Sequence, residues 1–253
     1  MIDKLISGYK RQIELLEERR QAVIDHAVTK GVRPNREMQN IMGNWMGDIP
    51  TDWEMIPSKR LFIEGKARKY ADDKPATASQ KYGIILQEDY MRIENKRIVI
   101  ATQGLDDWKH VNINDFVISL RSFQGGIERS EIVGCVTWHY IVLLPQNNVE
   151  PRYFKWLLKS RHYIKALRGT SEFIRDGQDL RYSNFSQIPL PLITIEEQNE
   201  IADYIETEIA KIDGAIPVIE KQIALLQEYR TRLISDVVTG QVDVRDEVIP
   251  EMR

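Results

Sequence analysis

One cysteine, Cys135, is all the sulfhydryl chemistry this chain has, so no internal disulfide can staple it. Its four histidines are scattered, and neither a C-x-x-C nor an H-x-x-x-H spacing offers ligands for a metal ion. A protein that depends on neither staple fits a reducing compartment, and we expect it in the cytoplasm. Met1-Ile2-Asp3-Lys4 opens without the apolar run of a secretory signal. Nothing approaches the ~18 consecutive apolar residues of a membrane span, so the expectation is a soluble protein with no membrane partner. Also missing are a G-x-x-x-x-G-K-[ST] phosphate loop, a Gly-rich cofactor turn and an Asn/Asp-Pro-Pro-aromatic motif. ATP hydrolysis and methyl transfer are therefore not expected here. Glu64-Gly65-Lys66 behind Asp52 could be drawn as a nuclease E-x-K set, but three such residues recur by chance and no strand pattern brings them together.

What is present is ordinary globular material, with 42% hydrophobic and 29% charged residues in 253. That supports one compact domain plus an extended element, or two small domains. A net charge of −3 argues weakly against a polyanionic partner. The average hides a segregation, however. From Pro151 to Ser171 there is no acid, while Arg152, Lys155, Lys159, Arg161, Lys165 and Arg168 fall inside. Glu196, Glu197, Glu200, Asp203, Glu206, Glu208, Asp213 and Glu220 then crowd a stretch with little but Lys211 against them. The field that matters to a ligand is local.

The two ends repeat each other. Ile13, Leu15, Leu16, Glu18 and Arg20 return as Ile223, Leu225, Leu226, Glu228 and Arg230, a constant shift of 210. At that offset Ile2, Asp3, Ile6 and Gln12 meet Ile212, Asp213, Ile216 and Gln222. Ile24, Val28, Thr29 and Val32 likewise meet Ile234, Val238, Thr239 and Val242. In the first copy Ile2, Ile6, Tyr9, Ile13, Leu16, Val23 and Ala27 follow the four-three step of a coiled-coil seam, interrupted by Arg20. The second copy runs Ile212, Ile216, Ile219, Ile223, Leu226, Leu233 and Val237, with Arg230 at the same interruption. A single stripe of this kind could merely cover a globular core; two equivalent ones can zip together. The helix–helix interface is therefore expected at Ile6, Tyr9, Ile13, Leu16 and Val23 against Ile212, Ile216, Ile219, Ile223, Leu226 and Leu233. Thr194 with Glu197 reads as a T-x-x-E capping box, so the second helix should run from there to Gly240. Pro217 inside it should kink or break it.

Between the helices, Pro34 and Asn35 mark a turn, and Asn44 to Glu54 is a Pro- and Trp-containing connector that should dock the domain onto the helix. Strand signals lie at Gly83–Leu86, Arg97–Ala101, Phe116–Leu120 and Val136–Leu144; Pro151 to Leu167 reads as a helix and Ile188 to Leu192 as extended chain. The fold class expected is α+β: one mixed α/β domain, residues 31–193, flanked by helices over 1–30 and 194–253 that form an antiparallel coiled-coil spacer.

Glu18 to Ile24 with Val28-Thr29-Lys30-Gly31, then Gly43-x-Trp45-x-Gly47-x-Ile49-Pro50-x-x-Trp53, resembles the central conserved region and second-domain entry of type I restriction-modification specificity subunits. Ile188 to Leu192, then Glu197-Gln198-x-x-Ile201-Ala202 and Arg230 to Gly240, resembles their distal conserved region. Members normally carry two target-recognition domains, whereas this chain has one and resembles the C-terminal half. The resemblance implies a non-catalytic reader of double-stranded DNA whose paired helices set a spacing and dock methyltransferase and restriction subunits. It implies no cofactor on this chain, S-adenosylmethionine on the methyltransferase partner, where adenine would be the modified base, and ATP on the restriction partner. The contrasting reading is a coiled-coil scaffold whose middle domain binds protein.

Phosphate contacts need flexible cations and base readout needs forked donors or amides. Lys59, Arg60, Lys66, Arg68, Lys69 and Tyr70 form a basic, aromatic-ended cluster; Arg121, Ser122 and Gln124 sit on a loop with Gly125-Gly126; Arg175, Gln178, Arg181 and Asn184 form a second polar stretch. Each has a plainer reading: the Gly-Gly pair as a hairpin turn, the basic face of 151–168 as a solvated face packed by Tyr153, Phe154 and Trp156. The two helices could pair within one chain or between two copies in a homodimer. A single domain contacts few base pairs, each supplying ~1–3 kcal/mol of discrimination, so self-association is the expectation.

Overall fold

The computed structural model describes residues 2–95, 105–120, 122–170 and 180–243. It forms two units, Val23–Ile205 and the pair of segments Met1–Ala22 and Glu206–Arg253. The expected strand at 97–101 lies outside the described residues, as do Arg121, Arg175 and Gln178.

Helix α1 (Ile2–Lys30) is proline-free and ends where Gly31 takes φ +74, its N–H closing on the Ala27 carbonyl at 3.0 Å. A Cβ at Gly31 would also stand 2.8 Å from the Arg36 guanidinium. The last helix, α7 (Ile195–Val238), begins as the cap predicts on one side only: the Thr194 hydroxyl accepts the Glu197 N–H at 3.3 Å. The Glu197 carboxylate does not complete the box, because it is taken by Arg36 and by the Trp53 indole N–H at 3.1 Å. At 44 residues, α7 is about 65 Å long. Pro217 does not break it: the helix continues through that position.

Within the helical unit the two repeats face each other antiparallel. Asp3 pairs with Arg230 at 3.0 Å and Arg20 with Asp213, so an advance of 17 residues along α1 is a retreat of 17 along α7. Arg19–Glu208 at 3.4 Å runs in the same direction. Ile6, Ile209, Ile212 and Ile219 are buried, and Tyr9, Ile13, Leu16, Ile216, Ile223 and Leu226 are half-buried between exposed neighbours. This is the spacer stripe. Leu233, half-buried, lies past the residue that faces the start of α1 in this register.

The body alternates short strands and helices. After β1 (Met38–Gln39), β2 (Ile49–Pro50), β3 (Glu54–Pro57) and β4 (Phe62–Gly65) come the hairpin β5 (Ala76–Ser79)/β6 (Gly83–Leu86) and α2 (Gln87–Glu94). Then follow β7 (Lys109–Val111), β8 (Phe116–Ile118), α3 (Ser122–Gly125), β9 (Glu128–Arg129), β10 (Gly134–Val136) and β11 (Ile141–Pro145). The series closes with α4 (Pro151–Leu157), α5 (Arg161–Gly169), α6 (Tyr182–Ser186) and β12 (Pro189–Leu192). One antiparallel sheet has the order β4-β11-β8-β9, while β1–β2, β3–β12, β5–β6 and β7–β10 are two-stranded. Ala76, Ile84, Val111, Val117, Val136 and Val142 form one core cluster. On another side Phe62 meets Phe116, Phe154 and Phe185 edge-on at 5.2–5.7 Å, the geometry aromatic quadrupoles prefer.

Two expected elements divide. The helix over 151–167 is α4 and α5, because the Ser160 hydroxyl accepts the Tyr163 N–H at 3.2 Å and starts a new helix. The strand over 136–144 is β10 and β11, separated by a turn in which the Tyr140 N–H returns to the Thr137 carbonyl at 3.0 Å. The connector, expected to dock on the helix, meets both: the buried Trp53 donates to Glu197 of α7 at 3.1 Å and Lys30 of α1 donates to the Asp48 carbonyl, while the Trp45 indole donates to the Pro189 carbonyl of β12 at 2.7 Å.

Candidate nucleic-acid interface

One basic segment of the body is built where the chain leaving β4 runs beside β7. Lys69 N–H donates to the Trp108 carbonyl at 2.8 Å and His110 N–H to the Ala67 carbonyl at 3.0 Å, so Lys66 to Tyr70 is held like an extra edge strand. The next turn is locked by one carboxylate: Asp73 Oδ2 accepts the Tyr70 N–H at 2.7 Å and lies 2.8 Å from His110 Nδ1. The Tyr70 ring thereby rests 4.4 Å from the His110 ring while staying 60% exposed. Beyond β10, the paired strand of β7, the turn before β11 presents Trp138, 52% exposed and stacked on His139 at 3.4 Å. Lys109 ties the two parts together by donating to the Tyr140 carbonyl at 2.7 Å, and burial lowers its pKa. The cations Lys66, Arg68 and Lys69 with Tyr70 thus line one side of β7, Arg68 paired with Asp107 at 3.3 Å, and Trp138 follows β10 on its other side. Flexible cations are the groups that suit phosphate oxygens, and exposed aromatic faces those that suit stacking on bases.

Other expected contacts are elsewhere. Lys59 is exposed in the single turn Ser58–Arg60, beside α6. Arg181 is the residue before α6, and its backbone N–H donates to the Asn184 carboxamide oxygen at 3.0 Å. Asn184 is corrected to a structural role: its Nδ2 donates to the Thr170 carbonyl at 2.8 Å, which engages both ends of the amide. Ser122 is likewise corrected, because it is buried with its hydroxyl accepting the Ser119 N–H at 2.8 Å. Gln124 is exposed on α3, and the Gly-Gly pair is not a hairpin turn but the end of that short helix. Three cations of 151–168 have acid partners: Arg152 with Asp203 at 2.7 Å, Lys155 with Glu131 at 3.3 Å, and Lys159, between α4 and α5, with Glu128 at 2.9 Å. Trp138 and His139 escaped the sequence reading because they fell inside the strand expected over 136–144, and Lys109 because it lay in none of the motifs singled out.

No family model matches the chain. Curated proteins do. The specificity subunit named for type I restriction enzyme MjaX of Methanocaldococcus jannaschii is 20% identical over 255 residues, 96% of this chain and 55% of its own length. The MjaVIII specificity subunit of the same organism is 22% identical over 271 residues, 96% of this chain and 58% of its own length. The chain is similar to type I restriction specificity subunits along nearly its whole length. A solved chain from work on complex assembly and conformational transition of the type I R-M system has the same fold, with TM-score 0.56 and 13% identity over 93% of this chain and 56% of that one. The chain thus spans little more than half the length of the specificity subunits it matches. The fold they share is the mixed body with its N-terminal helix and long C-terminal helix. Among the described residues no helix is long and apolar enough to cross a membrane, and no group of His, Cys, Asp or Glu is placed to hold a metal ion.

Proposed function

We propose that this chain reads double-stranded DNA as a single target-recognition module of a type I restriction-modification complex, without chemistry of its own. The observation that carries the reading is the match to curated specificity subunits across 96% of the chain, helices and body together. The segment that carries Lys66, Lys69 and the exposed Tyr70 beside β7 supports it physically. The paired helices would fix the body's distance from its partners, a methyltransferase carrying S-adenosylmethionine and a restriction subunit carrying ATP, in the cytoplasm.

Selection of duplexes from a random library, with the methyltransferase partner present, tests it. One sequence class should be enriched, and binding should weaken steeply with salt, each phosphate-contacting cation contributing about 0.9 to the log–log slope. Replacing Lys66 and Lys69 by alanine should flatten that slope by about two units together and leave the preferred sequence unchanged. Absence of any enriched duplex, or binding indifferent to salt, would favour a protein-binding scaffold instead.

A further inference from the structure

The segment from Lys66 to Pro75 straps the ribbon made by β7 and β10. On its way out it lies along the side of β7 away from β10, with Arg68 bridged antiparallel to Lys109. On its way back it lies along the side of β10 away from β7, where Pro75 is bridged parallel to Cys135 and the Lys74 carbonyl accepts the Cys135 N–H at 3.0 Å. The return leg is close-packed, since a Cβ on Gly134 would stand 2.7 Å from the Lys74 carbonyl oxygen. Tyr70 to Asp73 therefore carry the chain from one side of the ribbon to the other, and the Asp73 N–H closes their turn on the Tyr70 carbonyl at 3.2 Å.

One side chain fastens this crossing. The Asp73 carboxylate is 5% exposed, and its Oδ2 alone accepts the Tyr70 N–H at 2.7 Å and lies 2.8 Å from His110 Nδ1. His110 is the middle residue of β7, directly opposite Cys135, whose thiol donates weakly to the Asp73 carbonyl at 3.7 Å. The carboxylate thus fixes Tyr70 twice, its backbone through the N–H and its ring through the imidazole 4.4 Å away. An exposed tyrosine left to itself samples several rotamers, and the entropy lost in ordering it subtracts from its affinity for a ligand.

We infer that Asp73 is a positioning residue of the DNA reading proposed above, on which this role rests: without touching DNA itself, it holds the Tyr70 ring against His110 in the orientation that meets the duplex, on the segment that carries Lys66 and Lys69. The role has a sign opposite to that of charge. By charge alone, removing a carboxylate from a phosphate-facing segment tightens binding to a polyanion. By position, removing this one weakens it. Asp72, next to it in the chain and exposed, carries the same charge and supplies the control.

Titration of the full chain with a fluorescently labelled mixed-sequence duplex at low salt, where backbone contacts dominate, tests it. Asp73→Ala should bind about tenfold more weakly than the parent, the worth of one hydrogen bond to a charged group or of one stacked ring. Asp73→Asn keeps an oxygen for both contacts and should stay within about twofold of the parent. Asp72→Ala should bind as tightly as the parent or more tightly. In a Tyr70→Ala background, Asp73→Ala should have no further effect. Without DNA, the Tyr70 ring signals in NMR spectra, identified with Tyr70→Phe, should move in Asp73→Ala to those of a solvated tyrosine. Should Asp73→Ala fail to fold, His110→Leu replaces it, because it removes the ring on which Tyr70 rests and should weaken binding as well. The role is overturned if the parent binds and Asp73→Ala, or its replacement, binds as tightly as Asp72→Ala, or if the Tyr70 signals stay in place. A parent that ignores the duplex removes the DNA reading and this role together, so the parent's own titration tells the two failures apart.

Discussion

Replacing Arg36 by methionine should be one of the costliest single changes in the body. The Glu197 side chain is only 3% exposed and Arg36 11%, and the guanidinium binds both carboxylate oxygens while lying 5.6 Å from the Trp53 ring. Without it, Glu197 keeps the Trp53 indole at 3.1 Å and Arg33 at 3.7 Å. Removing one partner of a buried pair costs about 3–5 kcal/mol, because the other charge stays desolvated. The surviving indole hydrogen bond holds the expectation to the lower end, about 3 kcal/mol. Loss of the second partner of Arg36, Asp52, adds little because that carboxylate is 60% exposed. For a unit of this size the change corresponds to roughly 6–12 °C in Tm. Urea melts of the parent, Arg36→Met, Glu197→Gln and the double variant form a cycle in which the double variant should recover much of the loss. If Arg36→Met melts within about 0.5 kcal/mol of the parent, within the range of ordinary surface changes, the buried-charge reasoning is wrong.

Other consequences are read more simply. Gly126 takes φ +86, and a Cβ there would lie 2.4 Å from the Leu158 carbonyl oxygen, so Gly126→Ala should destabilise by about 3 kcal/mol or more in a denaturant melt, whereas Gly169→Ala, with open space around it, should not. Burial raises the pKa of Glu128 above its ordinary 4.5 despite Lys159. The folded state therefore takes up that proton first, and this group's destabilising charge is relieved as pH falls through its raised pKa toward 4.5; Glu128→Gln should flatten that segment of the stability–pH curve. Burial also pushes the Cys135 thiol up to about 11, so a disulfide reagent at mildly alkaline pH should label it only at the rate of unfolding; immediate labelling of the native protein would contradict its placement.

The spacer was legible in the sequence because a 210-residue repeat carries its own control: a seam pattern that appears twice, with arginine at the same interruption, is more than the cover of a core. Its pairing in the folded chain then follows from charges a reader could have matched, Asp3 with Arg230 and Arg20 with Asp213. The body was legible in class but not in its joints. Ser160 and the Thr137–Tyr140 turn cut elements that look continuous by hydropathy, since a serine cap and a one-turn reversal leave the apolar pattern undisturbed. Polar candidates were the least legible. Asn184 and Ser122 have the groups a base reader needs, but turns and caps require the same groups, and only the fold shows their hydrogen bonds to be already used locally.

The net charge of −3 looked like an objection to DNA, and the structure shows why it carries little weight. Five of the eight acids of the C-terminal stretch are matched by cations within their own unit: Glu197 by Arg36, Glu200 by Arg33 at 2.8 Å, Asp203 by Arg152 at 2.7 Å, Glu208 by Arg19 at 3.4 Å, and Asp213 by Arg20. The exposed pairs among them, unlike the buried Arg36–Glu197, add little stability, but all of them neutralise each other within a few ångströms, inside the screening length of about 8 Å at physiological salt. The basic run at 152–159 is consumed in the same way. Lys66 and Lys69, by contrast, have no acid partner among the described residues, and they precede Tyr70 on the segment that runs beside β7. A sum over the chain counts the mutually cancelled charges with full weight, although a phosphate backbone would feel chiefly the ones left over.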